Sequence, residues 1–141
     1  MVAPAAEAAE AGKNMAMEME TGMELATRQF VRPEAHNHHE TVYAGRLADW
    51  LTEAAMIGVT KLLGKNEQVV LAALKEVRIW KPMEAGMILE FYYEVEKLGT
   101  TSINISVTVR DMLSGDLHAE GNAVFVTVDE KGRKAPHGLT Q

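Results

Sequence analysis

The chain has no cysteine, so it holds no disulfide, no thiolate metal ligand and no catalytic thiol. It also lacks an excess of basic residues: 14 Lys plus Arg stand against 20 Asp plus Glu, a net charge of -6. That sign argues against a general nucleic-acid-binding surface. No uncharged run reaches the roughly 18 residues that a membrane-spanning helix needs. The first residues, MVAPAAEAAEAGKNMAMEMETG, lack the basic and apolar regions of a secretory signal, which makes a cytoplasmic location the expectation. What remains is 141 residues at 47% hydrophobic and 24% charged, with 11 Gly and 4 Pro, the balance of one globular domain.

The acidity is concentrated at the start, where residues 1–24 carry Glu7, Glu10, Glu18, Glu20 and Glu24 against Lys13. Residues 1–22 are rich in Ala and Glu and poor in large apolar side chains, so they read as a flexible acidic tail. Met15, Met17, Met19 and Met23 have a spacing that thioethers use for Cu(I), although incidental methionines in a tail are the simpler reading.

Residues 23–141 read as one domain. Met23 to Arg32 alternates and stops at Pro33, as a strand does. The polar stretch EAHNHHETVYAG follows as a loop. From Ala44 to Leu63, Leu47, Trp50, Leu51, Ala54, Gly58 and Leu62 fall at helical spacing, and Gly64-Lys65-Asn66 is a stop. Strands are then expected over Val69 to Trp80, Met87 to Leu98, Thr101 to Asp111 and His118 to Val128, separated by turn residues. Short connections between consecutive strands imply an antiparallel meander, wrapped around one long helix inserted after the first strand, an α+β arrangement.

Four stretches in this order, HNHHETVYAGRLADWLTEAA, IWKPMEAG, EKLGTTSINISV and FVTVDEKGRKAP, resemble the hotdog-fold acyl-CoA thioesterase superfamily, and its 4-hydroxybenzoyl-CoA thioesterase type in particular. The first stretch also resembles beta-alanyl-CoA ammonia-lyases, which share Arg46 and an acid at the Glu53 position. The resemblance implies a homodimer, with a tetramer or hexamer beyond it, whose active site lies between subunits. It implies an acyl-CoA substrate and no cofactor other than the coenzyme A that the substrate carries. Neither nucleic acid nor membrane is an expected partner.

The resemblance implies that the thioester meets the helix start and that an acid on the helix serves the reaction, and the residues allow that chemistry. A thioester carbonyl gains negative charge in the transition state, and free N–H groups at a helix start are ready donors for it. Gly45 stands at that start, and Glu53, eight residues on, is a carboxylate suited to act as general base or nucleophile. An ungapped alignment with the phenylacetate-pathway type instead puts Ala44 at the oxyanion glycine and Thr52 at the acid. Arg46, Asp49 and Glu53 at i, i+3 and i+7 equally describe a solvated helix face. Asn37 and His38 resemble the residues before the helix that hold the water or the thioester oxygen. Metal binding by His36, His38 and His39 is not expected, because no carboxylate or cysteine completes the set. By the same resemblance Thr101, Ser102, Lys81 and Arg133 are the candidate contacts for the CoA nucleotide. His118 reads as a half-buried sheet residue. A CoA-ester lyase and a non-catalytic acyl-CoA-binding module are the competing functions.

Overall fold

The computed structural model describes Glu18 and residues 22–140. The reading of residues 1–22 as a tail, with its Met15, Met17 and Met19, falls outside these except at Glu18 and Gly22. There, the Glu18 carboxylate accepts the Leu25 N–H at 2.9 Å and its carbonyl accepts the Gly22 N–H at 2.9 Å. Strand β1 (Glu24–Phe30) leads through a short 3-10 turn (Pro33–Ala35) to helix α1 (Ala44–Leu63). Four strands follow, β2 (Val69–Ile79), β3 (Ile88–Leu98), β4 (Ser102–Asp111) and β5 (Leu117–Thr127).

Helix α1 has the bounds that its apolar spacing predicts. Gly64 ends it in the left-handed region, φ 74°, and donates its N–H to the Thr60 carbonyl at 2.8 Å. Leu47, Leu51, Ala54, Ala55 and Val59 are at most 1% exposed and face the sheet. Opposite them, Phe91, Ile103, Ile105, Val107, Val109 and Phe125 project from β3, β4 and β5, also at most 1% exposed. This core is the single contiguous cluster expected of one domain. Trp50 meets Phe91 edge-on at 6.3 Å between ring centroids.

The helix can approach the sheet because Gly58 presents no side chain to β3. A Cβ there would lie 2.6 Å from the Tyr93 ring, and that ring is held by its hydroxyl, which donates to Glu24 Oε2 at 2.7 Å. Glu24 in turn pairs with Lys61 at 2.8 Å. Gly58→Ala should therefore destabilise the fold despite alanine's better helix propensity, by about 2 kcal/mol through overpacking. Thermal unfolding should show a Tm lower by about 6 °C; an unchanged or raised Tm would mean that the ring yields freely.

The five strands form one antiparallel sheet in the order β1-β3-β4-β5-β2. This corrects the expectation of a meander: β3, β4 and β5 follow one another, but β2 pairs with β5 rather than with β3. The cause lies in the segment after β2. Trp80 and Lys81 both donate their N–H to the His118 carbonyl, at 2.8 and 3.2 Å, so the chain stays on β5 beyond the end of the strand. It then crosses the end of the sheet, where Met83 accepts the Val42 N–H at 2.9 Å, and reaches β1 through Gly86 N–H to Val31 carbonyl at 2.9 Å. A connection anchored at both ends in this way is no hairpin, and it runs past the start of α1.

As a result β2 is an edge strand with little cover on either face. Val70 and Ile79 are each 48% exposed, and Leu71 and Val77 nearly as open. No helix among the described residues is long and apolar enough to cross a membrane.

Candidate active site

The loop before α1 is a tight turn organised by Asn37. Its N–H donates to the Thr41 carbonyl at 2.7 Å, and its side-chain Oδ1 accepts the His39 N–H at 2.8 Å and the Thr41 N–H at 3.4 Å. Glu40 completes the turn in the left-handed region, φ 61°, an uncommon conformation for a residue with a side chain. Tyr43 then precedes the helix and offers no side-chain cap. The first helical bonds run from the Arg46 and Leu47 N–H groups to the Tyr43 carbonyl, at 3.1 and 3.2 Å. The N–H groups of Ala44 and Gly45 thus precede the ladder, at the positive end of the helix dipole. Gly45 is the second helical residue, and a Cβ on it would come 3.1 Å from the Tyr43 ring.

These elements open onto a groove of about 500 Å³. Asn37, Thr41 and Ala44 line one side, and Trp80, Lys81 and Met83 the other. The second wall is braced from below by His118, which is 4% exposed, more deeply buried than its strand position suggested. Its Nδ1 lies 3.1 Å from the Pro82 carbonyl, which only accepts, so Nδ1 carries the proton. Lys81 Nζ reaches Asp116 Oδ2 at 3.1 Å, and this pair holds the carboxyl of Asp116 below the usual range.

The expected site residues fall in three places. Asn37, Lys81 and the helix start share the groove, whereas His38 is exposed, its ring 3.9 Å from that of His39, which does line the groove. Nε2 of His36 is buried without a hydrogen-bond partner.

Glu53 lies two turns along α1, exposed, on the flank facing β1, where Gln29 Nε2–H donates to its Oε2 at 3.4 Å. A second concavity of about 340 Å³ opens on this flank between Gln29, Phe30, Arg32, Arg46 and Trp50. One chain alone does not bring Glu53 to the groove. Arg46, Asp49 and Glu53 form an outward stripe, with the Arg46 guanidinium 5.8 Å from the Tyr43 ring centre.

Thr101, Ser102 and Arg133 lie at the opposite end of the sheet, near the end of α1. The Thr101 carbonyl accepts the Thr127 N–H at 2.8 Å, and His137 Nε2 lies 3.2 Å from the Ser102 carbonyl. Arg133 Nε faces Asp129 Oδ2 at 3.5 Å. Beside them a cavity of about 250 Å³ is lined by Leu63, Lys65, Gln68, Thr127 and His137. Sequence reasoning did not place Trp80 or Met83 in the groove. The available signal was Pro82, which fixes where β2 stops and so marks Trp80 and Lys81 as residues leaving a strand.

The family model described as the thioesterase superfamily matches residues 39–112, which span the end of the groove loop, α1 and strands β2 to β4. The chain belongs to the thioesterase superfamily. Its helix on a five-stranded antiparallel sheet is the hotdog fold. An acyl-CoA hydrolase from Staphylococcus aureus, solved with butyryl coenzyme A and coenzyme A, is similar at 31% identity and a TM-score of 0.71. That match covers 84% of this chain and 70% of the hydrolase. A hexameric thioesterase from Yersinia pestis matches at 25% identity and a TM-score of 0.72, over 84% of this chain and 96% of its own. The hexameric hotdog-fold thioesterase of Campylobacter jejuni, at 23% identity and a TM-score of 0.68, covers 79% of this thioesterase and 88% of its own chain and supports the fold. Among curated protein sequences none matches. The Staphylococcus hydrolase was also solved with alanine in place of an asparagine and of an aspartate fifteen residues after it. Fifteen residues after Asn37 this thioesterase has Thr52, and Glu53 comes next.

Proposed function

We propose that this thioesterase hydrolyses acyl-CoA thioesters in a site completed by a second copy of the chain. The observation that carries the reading is the groove at the uncapped start of α1, where Ala44, the first helical residue, lines a space bordered by Asn37 and Lys81. The thioester carbonyl receives the Ala44 and Gly45 N–H groups, which stabilise its oxygen as charge develops. Glu53 takes a proton from water as the water oxygen bonds to the carbonyl carbon. Collapse of the tetrahedral intermediate breaks the C–S bond and releases CoA thiolate and the carboxylic acid, the second of which ionises.

The free edge of β2 supports the need for a second copy. Exposed Val70, Leu71 and Ile79 on a strand whose outer edge has no partner among the described residues favour antiparallel pairing with an identical edge across a two-fold axis. Such pairing sets the Val69 end of one β2 against the Ile79 end of the other. The groove of one copy then meets the Thr101, Ser102 and Arg133 cluster of its partner, so that both sets serve one CoA molecule. The mid-portion of one helix likewise approaches the start of the other, and Glu53, which lies on the flank facing β1, must turn from Gln29 toward that seam to serve the partner's groove.

The test is thiol release from a panel of short-chain, long-chain and aromatic acyl-CoAs, followed with a thiol-reactive dye. Because the chain has no cysteine, all signal comes from CoA. Turnover well above the uncatalysed rate is expected. No release from any substrate, by protein that is folded and dimeric, would overturn the reading, and enoyl-CoA formation without free thiol would replace hydrolysis with elimination.

A further inference from the structure

Trp80 is the one Trp, Tyr or Phe among the residues that line the groove. It is 55% exposed, against 8% for Trp50, the chain's other tryptophan. An indole this open is unusual for a residue whose backbone is so firmly held. Its N–H is fixed to the His118 carbonyl at 2.8 Å, Lys81 bonds the same carbonyl, and the Pro82 carbonyl is tied to His118 Nδ1. The ring is therefore carried on a rigid strap and set at the groove wall without being packed into the core. Beside it, the Lys81 ammonium gives one of its three N–H donors to Asp116 Oδ2, which steadies it at the same wall. A flat π face next to an oriented cation matches a heteroaromatic base that carries phosphate.

We propose that Trp80 is the platform for the nucleotide end of the substrate, the indole stacking on adenine while Lys81 meets a phosphate. This rests on the CoA-thioester reading above, and it assigns a ring that neither the fold nor the hydrolysis step requires. Stacking of a base on an aromatic side chain contributes about 1–3 kcal/mol, which corresponds to a change of roughly tenfold or more in affinity.

The experiment compares wild type with Trp80→Phe and Trp80→Ala, using coenzyme A itself as a titrant and acyl-CoA and the matching acyl-pantetheine as substrates. Tryptophan emission reports on two residues only, so saturable quenching by CoA in wild type, lost in Trp80→Phe where Trp50 alone emits, is the expected optical result. For Trp80→Ala, KM for acyl-CoA should rise about tenfold with kcat within about twofold. Its hydrolysis of acyl-pantetheine, which has no base to stack, should change by less than about twofold. Equal losses on both substrates, or a shift from dimer to monomer on size exclusion, would overturn the proposal by making Trp80 a groove wall or an interface residue. Unchanged KM in Trp80→Ala beside an active wild type would overturn it while leaving thioester hydrolysis standing. A wild type that neither binds CoA nor cleaves the thioester would remove both readings together.

Discussion

Glu53→Gln should lower kcat for acyl-CoA hydrolysis by about 10²- to 10⁴-fold, the range that a positioned general base contributes. KM should stay within about threefold, because the amide keeps the shape of the carboxylate and loses only its ability to take a proton. The fold should be indifferent. Glu53 is exposed and its one described contact, with Gln29, is long at 3.4 Å, so melting curves of the two proteins should coincide. Asp49 is the only other carboxylate on α1, and it shares the outward stripe, which makes Asp49→Asn the matched control. Full activity in Glu53→Gln together with collapse in Asp49→Asn would move the base by one turn. The spacing in the Staphylococcus hydrolase adds a sharper arm. If the acid can act from either register, Thr52→Asp placed in the Glu53→Gln background should recover part of the lost rate.

A comparable loss is expected from a change that touches no reacting group. Val70→Glu combined with Ile79→Glu places carboxylates at two half-exposed positions of β2, where a single chain has little packing to lose. Across a two-fold axis the carboxylate at position 70 of one copy comes close to the one at position 79 of the other and water must be stripped from both, so pairing fails. Analytical ultracentrifugation at micromolar concentration should show a monomer. Activity should fall by more than about 10²-fold, as when an orienting element is removed, with secondary structure by circular dichroism preserved. A double variant that remains dimeric and active would show that copies associate through another surface.

The limits of α1 were legible because two independent signals agree, an apolar spacing that runs from Ala44 to Leu62 and a glycine that can take positive φ at position 64. The strands were legible for a similar reason, since Ile103, Ile105, Val107 and Val109 are all at most 1% exposed while the residues between them are half-buried. The place of β2 was not. VVLAALKEVRI lacks a period of two, and a period is what tells a strand which face is covered. Its neighbour was hidden too, because the bonds that hold Trp80 and Lys81 to His118 are made by backbone groups, which leave no trace in side-chain pattern.

At the site, Asn37 was marked only by its likeness to residues that hold the water or the thioester oxygen, whereas its side chain here organises the turn, a role its amide chemistry allows. The direction of Glu53 was beyond reach. One residue along a helix turns a side chain by about 100°, and sequence alone does not fix that angle against the sheet. Contacts do so here: Leu51 lies over Gly121 of β5, while Glu53 meets Gln29 of β1.

One irregularity in β2 bears on what kind of assembly this chain can build. Between Lys75 and Arg78 the ladder to β5 is interrupted, and Glu76 sits there at φ 54°, its carboxylate receiving the Asn122 amide at 3.2 Å. A bulge of this sort bends the strand and divides its outer rim into a longer run before it and a short one after it. Two copies that meet about a two-fold axis use up both β2 rims and leave only the β1 edges outermost. By contrast, a rim joined to the β1 edge of another molecule would leave a fresh rim at each end and grow without limit. The kink at Glu76 spoils the straight, matched edge that such growth demands, so the feature that bends one strand also favours a closed particle over a fibre.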